Sequence, residues 1–255
     1  MRKKTSRILL VLCGLACLLT GGCAPQGVAA SPQDLMSGVQ SATSPQQISS
    51  TLSIVLLVTV ISLAPSILVM TTSFTRIIVV LGFLRQAMAT QQSPPNQVLV
   101  ALALILTGFI MFPTYSRVNT EAVQPYMRGE ITDPNQALSA AVSPIREFMF
   151  KQVKPKDLAL FIEISQRPRP ETREDVPTHV LVPAFILSEL KTSFQIGFLI
   201  YIPFLIIDMV VASTLMAMGM MMLPPVFVSL PFKIIMFVLA DGWYLLLGTL
   251  AKSFQ

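Results

Sequence analysis

The sequence predicts an all-α membrane protein with a cleavable leader, in which two helical hairpins (about four long apolar helices) flank a small charged helical domain. Three observations lead there. Of 255 residues, 53% are hydrophobic and only 12% are charged, against roughly 25% charged in a soluble domain. A water-facing surface built from so few charges would be mostly apolar patch. The uncharged residues gather in long runs, among them 86–116, 192–207 and 209–232. The charged residues gather too: 117–179 holds nine basic and nine acidic side chains.

Residues 1–30 have the three-part layout of a secretory signal peptide. Arg2, Lys3, Lys4 and Arg7 precede an apolar run from Ile8 to Leu19, followed by small residues at 21–25 and 28–30. The run is too short for a membrane span, which takes about 20 residues. A retained anchor and lipid attachment at Cys23 are the alternatives; Thr20 stands where a lipoprotein signal favours leucine. Cys13, Cys17 and Cys23 all lie in this leader, so a mature chain has no thiol for a disulfide, a nucleophile or a metal site. The four leader charges also account for most of the net charge of +5, leaving 14 basic against 13 acidic residues. Nucleic-acid binding needs a basic face, and none is present.

A polar spacer at 31–50 leads into the first hairpin, 51–116. Its two apolar stretches run over about 52–70 and 98–112, with the turn placed at Ser93, Pro94, Pro95 and Asn96. Residues 71–97, which carry Arg76 and Arg85, are read as the connection between them. With the leader removed, those two arginines fall on the cytoplasmic side by the positive-inside bias. That places the charged domain, 117–179, in the periplasm. Within it, prolines mark two helix starts, Ser143-Pro144 and Lys154-Pro155. Ile145, Phe148 and Met149, then Leu158, Phe161 and Ile162, repeat at i, i+3, i+4, giving two short amphipathic helices.

The second hairpin covers 180–255, broken near Gly219 and Pro224-Pro225. Glu189, Lys191, Asp208, Lys233 and Asp241 interrupt or border its apolar runs. A charge at the bilayer centre costs roughly 2.5–3.5 kcal/mol, so these residues must pair, face a polar interior or pack against protein. Glu189 and Lys191 could also sit at an interface. Asp208, flanked by long apolar stretches, needs a partner. The break itself reads MAMGMMMLPP (216–225), with Met216, Met218, Met220, Met221 and Met222 within seven residues. Methionine repacks around changing shapes, so this loop can form a soft apolar ring if several copies surround one axis; ordinary helix packing is the plainer alternative. No phosphate loop, metal spacing or nucleophile elbow occurs, His179 is read as structural, and neither an enzyme nor a cofactor is expected. A small-solute transporter with charged intramembrane ligands is the main rival, although no internal repeat supports it.

TTSFTRIIVVLGFLRQA (71–87) with TQQSPPNQVL (90–99), and FILSELKTSFQIGFLI (185–200), resemble the two signatures of the flagellar biosynthetic protein FliP family. IIDMVVAS (206–213), the methionine run, SLPFK (229–233) and DGW (241–243) extend the similarity over roughly residues 50–250. Ala89 departs from it, standing where a glycine is common. The resemblance implies a homo-oligomeric ring in the bacterial inner membrane, within the flagellar basal body. There it would join FliQ-like and FliR-like membrane proteins, beside FlhA/FlhB-like gate proteins, in a channel for unfolded export substrates. It implies a pore gasket at Met216, Met218, Met220, Met221 and Met222, and subunit contacts at Glu189. With Glu189, the residues Lys191, Asp208, Arg76, Arg85, Phe148 and Phe161 complete the candidates for subunit contact or buried charge. It also implies helices stacked largely above the bilayer once assembled.

Overall fold

The computed structural model describes residues 45–90, 93–166, 170–220 and 222–254; the expected leader and the spacer before residue 45 lie outside them. The described residues form helices and no strand. The chain divides into two compact units, 1–60 and 61–255, and helix α1, Pro45–Thr71, begins in the first and ends in the second.

Within the second unit, the chain leaves α1 through Thr72 and Ser73 and enters α2, Phe74–Ala87. Hydroxyls take up carbonyls around the break: Thr71 Oγ1 donates to Ile67 O at 2.9 Å and Thr75 Oγ1 to Val69 O at 3.0 Å. α2 corrects the expected connection between two apolar stretches. It is a core helix, with Ile77, Val80, Leu81, Leu84 and Ala87 at most 1% exposed. The four larger side chains each contribute about 1.5–3 kcal/mol of burial. Its arginines lowered the apolar signal, and Arg76 is buried with the rest.

α3, Asn96–Val118, lies along α2 and presents Leu99, Ala103, Thr107 and Met111, one residue per turn, to the interior. A π-helical turn, Asn119–Val123, carries it into the short α4, Gln124–Met127. α5, Pro134–Gln152, starts ten residues before the expected proline. Asp133 caps it by accepting from Asn135 N at 3.0 Å with Pro134 at its first position, so Pro144 falls inside the helix, buried. α6, Pro155–Ile164, begins at the proline the sequence marks.

α7 runs unbroken over Thr178–Ala217. After the methionine loop come α8, Pro225–Leu239, and α9, Gly242–Lys252, which one apolar run had suggested were a single helix. They are bent by 64° at Asp241, whose φ of +50° ends the helical path.

Two apolar cores lie along α3 and α7. One joins α2 to Leu99 and Ala103 of α3, Phe204 of α7, Phe237 of α8 and Leu246 and Leu250 of α9. The other joins Met111 of α3 to Phe148 and Met149 of α5 and to Val180, Leu181 and Phe185 of α7. Ile145, Leu158, Phe161 and Ile162 pack onto this second core. The charged middle segment therefore shares its core with the long helices. Among the described residues, two helices, Asn96–Met127 and Thr178–Ala217, are long and apolar enough to cross a membrane, and up to four spans result if each bent pair counts as one.

Candidate functional site

Four of the five charges that interrupt or border the apolar runs, Glu189, Lys191, Asp208 and Lys233, enter three clusters, while Asp241 stands apart at the bend between α8 and α9. Arg76 on α2 and Glu189 on α7 are 2% and 0% exposed. Arg76 Nε donates to Glu189 Oε2 at 2.8 Å, and Nη2 donates to Oε1. The remaining donors reach Gln152 Oε1 at 3.0 Å, Ser253 O at 2.8 Å and Ser253 Oγ at 3.0 Å. All five guanidinium N–H groups are thus satisfied. The Phe254 ring covers the guanidinium, with its centroid 3.8 Å from Cζ. Gln152 Nε2 closes the circuit on Phe254 O at 3.2 Å. One arginine thereby ties α2, α5, α7 and residues 253–254 together.

The second cluster lies toward the far end of α7. Lys233, 2% exposed, donates to Asp208 Oδ2 at 2.7 Å and to Ala87 O, in the last turn of α2, at 3.1 Å. Ser229 Oγ donates to Asp208 Oδ1 at 2.6 Å. Asp208 thus has its partner, and the bond pins α8 to α7 below the loop that joins them.

The third cluster clasps α6 to α7. Asp157 accepts from the Lys191 ammonium and from Ser188 Oγ at 2.8 Å, while Lys154 N donates to Ser188 Oγ at 3.0 Å. Burial alone would raise the Asp157 pKa, but the Lys191 and Ser188 hydrogen bonds outweigh it and hold the carboxyl below its ordinary value. Lys191 itself is half exposed.

Arg85 is placed apart from all three, holding the loop after α2 by donating to Pro94 O at 3.4 Å and to Asn96 Oδ1. Phe148 is buried, edge-on to Phe185 at 6.0 Å and stacked on Phe254 at 6.3 Å; Phe161 is half-buried. Gln152, Asp157, Ser188, Ser229, Ser253 and Phe254 escaped the sequence reading. Their partners lie tens of residues away, up to 177 between Arg76 and Ser253, and no local pattern marks them.

The methionine loop closes α7 with a Schellman turn: Met220 N donates to Leu215 O at 3.0 Å and Gly219 N to Met216 O at 3.0 Å. Gly219 has φ +78°, the left-handed conformation this turn requires. The thioethers are turned outward, with Met216 59%, Met218 69%, Met220 41% and Met222 97% exposed; Met221 lies outside the described residues.

The FliP family model matches residues 57–250. The chain belongs to the FliP family. It is 57% identical over 214 residues to the flagellar biosynthetic protein FliP of Bacillus subtilis, covering 84% of this chain and 96% of that protein. The Caulobacter vibrioides FliP is 56% identical over 199 residues, covering 78% of this chain and 74% of its relative. For the Aquifex aeolicus FliP the figures are 50% over 204 residues, 79% and 85%. As a FliP-family member the chain is a flagellar biosynthesis protein with membrane-spanning helices. The departure at Ala89 now has a physical sense: its φ is +56°, where glycine is unstrained and a Cβ is not.

Proposed function

We propose that this FliP-family chain is a core subunit of the flagellar protein export gate. In the bacterial inner membrane, at the basal body, it assembles as several copies with FliQ-like and FliR-like proteins, beside FlhA/FlhB-like gate proteins. Together they form the channel through which unfolded flagellar proteins leave the cell. The charged middle segment faces the periplasm. Because Glu189 is enclosed by Arg76 in its own chain, its effect on neighbouring subunits is transmitted through the surfaces that the Arg76 cluster fixes.

The observation that carries the reading is the outward-turned methionine loop, opened by a hydrogen-bonded turn between two helices that Asp208 and Lys233 hold together. Flexible thioethers converging from several copies seal a pore by apolar contact without direction. They yield around a passing chain and close behind it. The transporter reading requires charged ligands free to bind a solute. Instead, Arg76 is bound to Glu189 and Lys233 to Asp208; the cavity of about 340 Å³ bordered by α2, α7, α8 and α9 is lined by no charged side chain, and the cavity of about 450 Å³ that Arg117, Glu147 and Lys151 line contains none of these four.

The test is the native mass of the chain extracted in mild detergent after co-expression with its FliQ-like and FliR-like neighbours. One discrete complex with several copies of this chain and both partners is expected. A monomer or simple dimer without partners would restore the transporter reading.

A further inference from the structure

We propose that the methionine loop is a site of oxidative modification: conversion of Met216, Met218, Met220 and Met222 to methionine sulfoxide opens the seal. The proposal rests on the sealing role above and adds its regulation.

Density, together with exposure, separates these residues from the other described methionines of the fold: the exposed Met70, Met127 and Met209 stand singly, at 46%, 80% and 64%. Met88, Met111 and Met149 are buried at 6%, 0% and 1%, whereas Met222 is 97% and Met218 69% exposed. The loop methionines alternate along a tight turn, so no single core face can shelter them all. Oxidant reaching the loop therefore meets several thioethers within one short segment.

The chemistry needs only a two-electron oxidant of the hydrogen peroxide class. A sulfur lone pair attacks one peroxide oxygen and the O–O bond breaks. The S–O bond forms as sulfur gives up two electrons, and the departing hydroxide takes the proton left on the transferred oxygen and leaves as water. Each event replaces a weakly accepting thioether with a strong hydrogen-bond acceptor.

The turn that opens the loop offers that acceptor no donor. The N–H groups of Met218, Gly219 and Met220 are already given to Thr214, Met216 and Leu215 carbonyls, and Pro224 and Pro225 have none. No charged side chain occurs between 209 and 232. An apolar ring holding unpaired acceptors is costly to keep dry, so the sulfoxides draw in water, and ions follow.

The assembled complex of the full chain and its partners is treated with hydrogen peroxide in detergent. Sulfoxides are located by peptide mass, and ion flux is read after reconstitution into liposomes. Oxidation of 216–222 ahead of Met88, Met111 and Met149 is expected, with flux rising about tenfold, equivalent to about 1.4 kcal/mol of closing free energy. Methionine sulfoxide reductases of both stereospecificities, applied before reconstitution, should reverse both signals. Met127 on α4 is 80% exposed and outside the loop, so Met127→Leu should leave the flux response as it was. A fully oxidised loop with unchanged flux overturns the proposal, as does a loop that stays reduced while Met127 is oxidised. A separate control isolates the sealing role: if the unoxidised complex with Met220, Met221 and Met222 changed to alanine stays ion-tight, the gasket itself is refuted.

Discussion

Glu189→Ala tests whether the Arg76 cluster holds the fold together. The change removes two of the five acceptors around the guanidinium and the carboxylate that neutralises it. Only neutral acceptors remain: Gln152 Oε1, Ser253 O and Ser253 Oγ. A buried charge stripped of its partner costs about 3–5 kcal/mol. At about 2–4 °C per kcal/mol for a chain of this size, the melting temperature falls by about 6–20 °C. Glu189→Gln keeps the shape and one acceptor, and should lie between wild type and alanine. The double replacement Arg76→Leu, Glu189→Leu leaves no unpaired charge, so its loss should be smaller than the sum of the two single losses. The assay is the melting of detergent-extracted chain, read as the fraction eluting intact by size exclusion after heating. A Glu189→Ala chain melting within about 2 °C of wild type, or a double variant equal to the sum of the singles, would refute the reasoning.

Ala89→Gly relieves a left-handed residue (φ +56°) and should stabilise by about 1 kcal/mol, seen as a rise in melting temperature; a fall would contradict the strain. Asp208→Ala leaves Lys233 buried with only Ala87 O and should cost about 3 kcal/mol, the lower end of the buried-pair range, since Asp208's own side chain is 34% exposed. Reduced yield of assembled complex is the measurement, and normal yield would contradict it. Gly242→Ala drives a Cβ to within 2.2 Å of the Phe237 ring and should destabilise by about 1–3 kcal/mol. The Asp157 carboxyl, held below 3.8, contributes stability that is present above about pH 4 and lost as pH falls through its folded value. The melting difference between wild type and Asp157→Asn should therefore shrink as pH drops below about 4; a constant difference would show that Lys191 does not act through charge.

What the sequence made legible was whatever has a local period. Ile145, Phe148 and Met149, like Leu158, Phe161 and Ile162, recur on one face and pack there. Pro155 opens its helix, and Asp208, stranded in an apolar run, has a lysine beside it. Illegible was whatever depends on distant chain. Arg76 reads as one of several candidates for subunit contact or buried charge, and only Glu189, 113 residues away, supplies the reason for burying it; without that partner α2 reads as a connection. The start of α5 was misplaced because two prolines compete, and only the Asp133 cap decides between them. The bend at Asp241 leaves no trace, since an aspartate forced to positive φ looks in sequence like any other.

At about 1.5 Å per residue, the forty residues of α7 measure about 60 Å, twice the roughly 30 Å of a bilayer's hydrocarbon. The half from 196 onward, about 33 Å long, matches that thickness, while Ser188, Glu189, Lys191, Ser193 and Gln195 occupy the other half. The helix therefore has one arm as long as a span and one arm that carries those polar side chains. Glu189 and Met218 lie about 44 Å apart along it, so a 5° swing pivoting at the Arg76 cluster sweeps the methionine tip through about 4 Å. That is close to a side-chain diameter, so a small rocking of the polar arm displaces the exposed thioethers by a full contact.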